Sequence, residues 1–149
     1  MALITAQQVK DRVDNRDLSL SLMTDELITM AQIKHLRPIL TKDLYNALVA
    51  DTVTYADLLD VVLEPLAWFV YYELMLIYYV SITEQGMKFT SAQYTSNISN
   101  FDFEKLKAWG YQSAMAYYSD ITEHLSDNNY PLFESGKKLK TKIIGGMIL

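Results

Sequence analysis

The sequence predicts a mainly α-helical fold: a helical bundle with a long central helix, a projecting loop or β-hairpin at about residues 84–100 and an extended C-terminal arm. Three observations predict it. Apolar residues recur at helical spacing over most of the chain. The segment from Tyr55 to Thr83 is apolar around its whole circumference, as in a helix at the centre of a domain. The polar run after it, and the basic and apolar residues at the C-terminus, match neither pattern.

The chain begins with the signature of a short helix. Thr5 is placed to cap a helix from Ala6 to about Val13, with Gln8 at the third helical position, as in a capping box. Thr24 is placed to cap a second helix, whose first turn is acidic, as the helix dipole favours.

The second helix has apolar residues at helical spacing, namely Leu27, Ile28, Ala31 and Leu36. Pro38 is expected to end or kink it near Arg37, because proline lacks the backbone N–H and crowds the preceding turn. A third helix starts at Thr41 and places apolar residues on one face, namely Leu44, Ala47 and Leu48.

The central segment, Tyr55 to Thr83, would be about 43 Å long as one helix at 1.5 Å per residue. Pro65 is expected to kink it. A membrane span is disfavoured, because Glu73 lies in the middle of the segment, where a carboxylate costs about 2.5–3.5 kcal/mol in a bilayer. The flanks of the segment are acidic rather than basic.

Residues 84–100 are rich in Ser, Thr, Asn and Gln, and Gly86 is expected to stop the central helix. This segment predicts a long loop or a hairpin of edge strands. A last helix, from Phe101 to about Leu125, follows. Gly110 weakens it by about 1 kcal/mol relative to alanine.

Charge divides the chain into a helical domain, residues 1–136, and a C-terminal arm, residues 137–149. All 18 acidic residues and nine of the 13 basic ones lie before Gly136, which gives the domain a net charge of −9. The arm has four lysines and no acid. An acidic domain disfavours general nucleic-acid binding.

No catalytic, cofactor-binding or metal-binding residues are predicted, and the chain is not expected to be an enzyme. The absence of cysteine excludes disulfides, thiolate zinc sites and cysteine nucleophiles. The two histidines, His35 and His124, lack metal-ligand spacing, and no G-x-S-x-G motif occurs. For the isolated acid Glu73 two interpretations stay open: a hydrogen bond to a tyrosine at the edge of the core, or a polar contact between subunits.

The aromatic residues and the arm predict an interface. Adjacent residues on a helix point about 100° apart, so both members of a tyrosine pair cannot face one core. An apolar C-terminal segment is also unusual for a disordered tail, and it suits a strand or groove contact with another chain; self-packing stays an alternative. The predicted interface residues are Tyr71, Tyr72, Tyr78, Tyr79, Met87, Phe89, Tyr94, Lys137, Lys138, Lys140, Lys142, Ile143, Ile144, Met147, Ile148 and Leu149.

Six segments resemble the small head–tail connector (adaptor or ring) proteins of tailed bacteriophages. They are LITAQQVKDRV, TDELITMAQIKHLRPIL, TKDLYNAL, LLDVVLEPLAWFVYYELM, EQGMKF and NNYPLF, which together cover most of Leu3 to Phe133. The spacing A-x-x-x-H-L-x-P-I-L-x-x-x-L-Y, from Ala31 to Tyr45, is part of the resemblance. No family motif matches the arm.

The resemblance implies a structural virion protein: a helical subunit of a dodecameric ring that joins the portal protein to the tail and extends the DNA channel. Its partners would be identical subunits, the portal, and tail or further ring proteins, with no membrane. Genomic DNA would pass without sequence-specific binding, and the acidic domain suits that passage because carboxylates repel phosphates. The location would be the neck of the virion, after synthesis in the host cytoplasm.

Three alternatives remain at this point. The chain could be a non-enzymatic adaptor module that binds one protein partner through its C-terminal arm, as in strand addition. It could be an enzyme, if folding created a deep pocket lined by Glu73 and a histidine. It could be associated with a membrane.

Overall fold

A computed structural model describes residues 1–13, 18–78, 80–83, 86–89 and 100–134. This part of the chain is mainly helical, as predicted. The helices are α1 (Ala6–Arg12), a 3₁₀ turn (Leu20–Leu22), α2 (Asp25–Ala31), a π turn (Gln32–Leu36), α3 (Arg37–Leu40), α4 (Lys42–Ala50), α5 (Ala56–Tyr78), α6 (Asn100–Ala116) and α7 (Tyr118–Asp127). Two strands, β1 (Val80–Thr83) and β2 (Gly86–Phe89), pair antiparallel.

The two N-terminal caps are confirmed. The Thr5 hydroxyl accepts a hydrogen bond from the Gln8 backbone N–H at 3.2 Å, and the Gln8 side chain accepts one from the Thr5 backbone N–H at 2.9 Å. The Thr24 hydroxyl accepts from the Leu27 backbone N–H at 3.3 Å. The reciprocal pair at Thr5 and the single bond at Thr24 satisfy backbone donors that a helix start leaves unpaired.

Pro38 was predicted to end or kink the second helix near Arg37, and the helix does not end there. The chain continues as the π turn and then as α3, so it remains helical to Leu40. The backbone N–H of Arg37 donates to the carbonyl of Gln32, five residues earlier. This wider turn lies directly before Pro38, whose ring crowds the preceding turn of a regular helix. The helix therefore accommodates the proline by widening.

Thr41 separates α3 from α4, where the third helix was predicted to start. Its backbone has φ 71° and ψ 158°, a conformation that L-residues rarely adopt. Its side chain makes no capping hydrogen bond, and its buried hydroxyl oxygen has no partner among the described residues. The backbone at this junction is strained.

The long central helix is confirmed, but its predicted extent is wrong. Helix α5 ends at Tyr78, five residues before Thr83, and the chain continues as β1. Residues with high strand propensity, Val80, Ile82 and Thr83, pair across to β2, so hairpin formation ends the helix. Gly86 starts β2 and does not stop the helix. The hairpin begins at Val80, before the predicted segment 84–100, and overlaps that segment in β2. Residues 84–85 and 90–99 of the predicted segment lie outside the described part.

Helix α5 is the centre of the bundle. It contacts α1, α2, the π turn, α6 and α7. Leu58, Leu66 and Val70 on this helix are fully buried. Pro65 lies within the helix without ending it. The apolar circumference of the segment is thus explained by helices that cover it on several sides.

The predicted last helix is divided in two. Helix α6 ends at Ala116 and α7 starts at Tyr118, and the Tyr117 backbone N–H donates to the carbonyl of Ala114 at 3.3 Å. Neither glycine nor proline marks this break. Ile121 and Leu125 of α7 are buried, and a helical turn at 131–134 buries Phe133.

Candidate interaction surfaces

Helix α6 packs closely on α5 at Gly110. A Cβ atom at this position would lie 2.7 Å from the Met75 Cε atom, which is closer than nonbonded carbon atoms approach. The same Cβ would lie 3.8 Å from atoms of Tyr71 and Tyr72. Any side chain at this position would require the Met75 methyl group, the end of a flexible side chain, to move, so glycine suits the present packing of the two helices. The two residues beside Gly110 reach around opposite sides of α5.

Trp109 lies on one side. Its ring meets Trp68 edge to face, with centroids 4.9 Å apart, and meets Tyr71 at 6.1 Å. Such edge-to-face pairs are favourable beyond their buried area. Trp109 nevertheless keeps 48% of its surface exposed, and the buried indole N–H of Trp68 has no hydrogen-bond partner in the part of the chain that the structure describes.

Tyr111 lies on the other side. Its ring is 5.5 Å from that of Tyr72 and 6.2 Å from that of Phe69. The Phe69 ring stacks on His35, with centroids 4.5 Å apart and planes 2° from parallel. Tyr72 meets the same imidazole edge to face at 5.9 Å. This aromatic chain connects α6 through α5 to the π turn.

Glu73 is the buried acid of the central helix, and its partners belong to its own chain. Its Oε1 atom lies 2.6 Å from His35 Nε2 and 2.6 Å from Lys34 Nζ. Glu73 is 3% exposed. Within the described residues, the partners of Glu73 are His35 and Lys34 rather than the predicted tyrosine, and the predicted polar contact between subunits stays a prediction. A buried carboxylate needs a cationic or hydrogen-bond-donating partner. The basic residues at 34–37 were therefore the signal in the sequence that could have identified the partners of Glu73.

The contact between His35 and Glu73 bears on one alternative from the sequence, an enzyme with a deep pocket lined by Glu73 and a histidine. The pair is packed against Phe69, and neither side chain lines the surface groove described below. Within the described residues, no three His, Asp or Glu side chains converge as metal ligands would. The absence of enzymatic activity remains a prediction.

His124 has a partner at the other end of α5. Its Nε2 atom lies 2.8 Å from the Tyr130 hydroxyl, and the Tyr130 ring is 6.3 Å from that of Tyr55, just before α5. Burial raises the pKa of Tyr130, and the nearby Asp57 and Tyr55 raise it further. These contacts fix the end of the described chain beside the start of α5.

Two surfaces combine several exposed apolar side chains. The first, which we call the outer face of α6, is the side of α6 and the start of α7 that bears Tyr111, Met115 and Tyr118, which are 38–43% exposed. Trp109, which is 48% exposed, lies on the other side of α6. The second, which we call the α2 groove, runs along α2 between the N-terminal residues and the end of α5. Exposed apolar side chains of the α2 groove are Met30, Ile33 and Ile77.

The α2 groove consists of two adjoining cavities of about 580 and 420 Å³, which share Glu26 and Met30. Met1 and Ala2 line one end, and Ile77 lines the other. The N-terminal residues are held there by the buried amide of Gln32, which accepts from the Leu3 backbone N–H at 2.6 Å and donates to the Met1 carbonyl at 3.2 Å.

The predicted interface residues are only partly described. Tyr71 is 6% exposed and lies in the core, so little of it is accessible to another subunit, whereas Tyr72 is half-buried. The side chains of the other predicted residues lie outside the described part: Tyr78, Tyr79, Met87, Phe89, Tyr94, the four lysines of the arm and its apolar residues.

Sequence analysis missed the α2 groove and the exposed face of α6. Met30 and Ile33 project from a different side of the helix than the core residues Leu27, Ile28 and Ala31. Apolar residues outside the core-facing side were therefore the signal in the sequence that could have indicated the α2 groove.

Among the helices in the described ranges, none combines the length and the apolar character needed to cross a bilayer. No curated protein and no solved structure matches the chain. One family matches over residues 24–143, and its description is a family of unknown function, DUF6712. Because this match covers most of the sequence, the chain belongs to the DUF6712 family.

Proposed function

We propose that this chain is a structural virion protein, a subunit of the ring that connects the portal to the tail of a tailed bacteriophage. Identical copies would close into a ring in the neck of the virion, with the portal on one side and tail or further ring proteins on the other. The resemblance of the helical segments between Leu3 and Phe133 to connector proteins is the starting point for this proposal.

The observation that supports it best is the pair of separate apolar surfaces on one protomer. The outer face of α6 exposes Tyr111 and Met115, and the α2 groove exposes Ile33 and Ile77. Contiguous apolar patches on soluble proteins mark interaction sites. A ring subunit needs two different faces, because each copy contacts one neighbour with one face and the next neighbour with the other.

The charge of the chain is compatible with a DNA channel. Residues 1–136 have 18 acidic and nine basic residues, so most of the protomer repels phosphates. DNA would pass such a surface without being retained and without sequence-specific contacts. The proposal therefore predicts weak binding to duplex DNA at physiological salt.

Light scattering after size-exclusion chromatography tests the assembly. A monomer has a mass of 17.1 kDa, and a ring of twelve would have a mass of about 205 kDa. We expect the ring mass for the protein alone or together with its portal, and closed rings in negative-stain micrographs. A strict monomer at all concentrations that also fails to bind the portal would refute the proposal.

An adaptor module that binds one protein partner through its arm is the second candidate, because the apolar residues 143–149 follow four lysines beyond Phe133, the last buried residue of the described part. Deletion of residues 137–149 separates the two functions. A module loses its partner completely, whereas a ring subunit keeps the lateral contacts of its helices and assembles more weakly.

A further inference from the structure

We infer that the α2 groove is the receptor for the C-terminal arm, residues 137–149, of a neighbouring copy. This inference depends on the proposed ring assembly and adds to it the pair of surfaces that meet.

The chemistry of the α2 groove defines what fits it. Its floor is formed by Met30, Ile33 and Ile77, which are 38%, 45% and 47% exposed. Asp25 and Glu26 lie on its rim and are exposed. Lys34 also lines it, but its ammonium group is bound to Glu73. The groove therefore combines an apolar floor with two exposed carboxylates.

The arm has the complementary chemistry in a suitable order. Four lysines, at 137, 138, 140 and 142, precede the apolar sequence IIGGMIL, and the arm contains no acid. An extended segment that lays alternate apolar side chains on the floor would bring its lysines to the acidic rim. Apolar burial would supply the affinity, and the charges would favour this segment over acidic ones.

The positions of groove and arm favour a contact between copies. The described chain ends beside Tyr130, which packs on Tyr55 before α5, whereas the groove reaches Ile77 near the end of that helix. The 22 residues from Tyr55 to Ile77 correspond to about 33 Å of helix. The nine residues from Glu134 to Ile143 span at most about 32 Å when fully extended. A chain's own arm could place Ile143 at this end of the groove only at full extension and would dock there chiefly through residues 144–149, whereas the arm of an adjacent copy can place the whole segment 143–149 in the groove.

A contact between unlike ends of two copies is heterologous, and repetition of such contacts closes a ring or extends a filament. The arm and the α2 groove would thus form one of the lateral contacts that a ring needs.

Disulfide trapping tests the inference in a chain that has no native cysteine. A full-length Met30→Cys chain is coexpressed with a tagged full-length Met147→Cys chain, and the assemblies are oxidised with glutathione disulfide. The product that joins the two chains is quantified on a non-reducing gel. The control replaces Met30→Cys with Val53→Cys, because Val53 is 85% exposed and lies before α5. An undocked arm would react with this more exposed site at least as fast.

We expect the product with Met30→Cys to form at least about tenfold faster than the control, because docking raises the effective concentration. The double variant Asp25→Lys and Glu26→Lys should slow trapping, and Lys140→Glu with Lys142→Glu in the arm should restore it. This rescue excludes simple unfolding as the cause of the loss.

Two outcomes overturn the inference and leave the ring proposal intact: rings that trap no faster at Met30→Cys than at Val53→Cys, or trapping only within a chain that has both cysteines. A protein that remains monomeric, forms no rings with the portal and gives no product overturns both.

Discussion

The strained backbone of Thr41, between α3 and α4, predicts that a glycine at this position changes the free energy of unfolding. Replacement by glycine removes the penalty of a β-branched residue at φ 71°, about 1–3 kcal/mol. It also removes a buried hydroxyl without a partner, which costs about 1–3 kcal/mol. Against these gains, glycine loses about 0.5–1 kcal/mol of backbone entropy and about 0.8 kcal/mol of methyl burial. No capping hydrogen bond is lost. Because these terms leave a net gain of about 0–5 kcal/mol, we expect Thr41→Gly to raise the free energy of unfolding, by about 2 kcal/mol near the middle of that range.

Urea unfolding followed by far-ultraviolet circular dichroism measures this change by linear extrapolation. Thr41→Val separates the two gains, because valine removes the hydroxyl and keeps the β-branch that opposes this backbone conformation. Lys42→Gly is the matched control for glycine itself. It lies in the first turn of α4, is exposed, and should lose up to about 1 kcal/mol. If Thr41→Gly destabilised the protein as much as Lys42→Gly does, the argument from strain would be wrong.

Three further predictions use the same unfolding assay. Glu73→Ala should lower the free energy of unfolding by about 3 kcal/mol, because it leaves His35 without its buried acceptor. Lys34→Ala should lower it by less than about 1 kcal/mol, because Lys34 is 54% exposed. Equal losses in the two variants would contradict this interpretation. Gly110→Val should destabilise the protein by about 1–3 kcal/mol through its clash with Met75, and Met75→Ala should recover part of that loss in the double variant, whereas strictly additive effects would exclude the clash. The raised pKa of Tyr130 means that the folded state holds this proton more tightly than the unfolded state, so the contribution to stability is complete below pH 10.0, the ordinary pKa, and is lost as pH rises above it. Tyr130→Phe should therefore show a weaker fall in stability above pH 10 than the wild type, and an identical slope would show that the group is not perturbed.

The elements that sequence predicted well depend on neighbouring residues. The caps at Thr5 and Thr24 follow from side chains that bond to backbone groups three residues away, so their patterns are visible in the sequence. The central position of α5 follows from its composition alone. These features need no knowledge of the tertiary contacts.

The elements that sequence missed depend on distant contacts. Glu73 and His35 are 38 residues apart, so their contact exists only after the π turn has packed on α5. The end of α5 at Tyr78 depends on pairing between β1 and β2, which competes with helix propensity. The α2 groove was missed because it requires Ile77 of α5 to lie beside Met30 of α2.

The two tyrosines at 71 and 72 show how the structure changes the search for an interface. Their side chains point to different sides of α5, as the helical geometry requires. Both sides are largely covered within the protomer: Tyr71 packs against Trp109, and Tyr72 packs against Tyr111. Helix α6 thus covers the aromatic side chains of the central helix, and the aromatic residues of α6 itself stay partly exposed. Contacts between copies should consequently be sought first on the outer face of α6 and in the α2 groove, and substitutions at Met115 or Met30 should weaken assembly more than one at Tyr72.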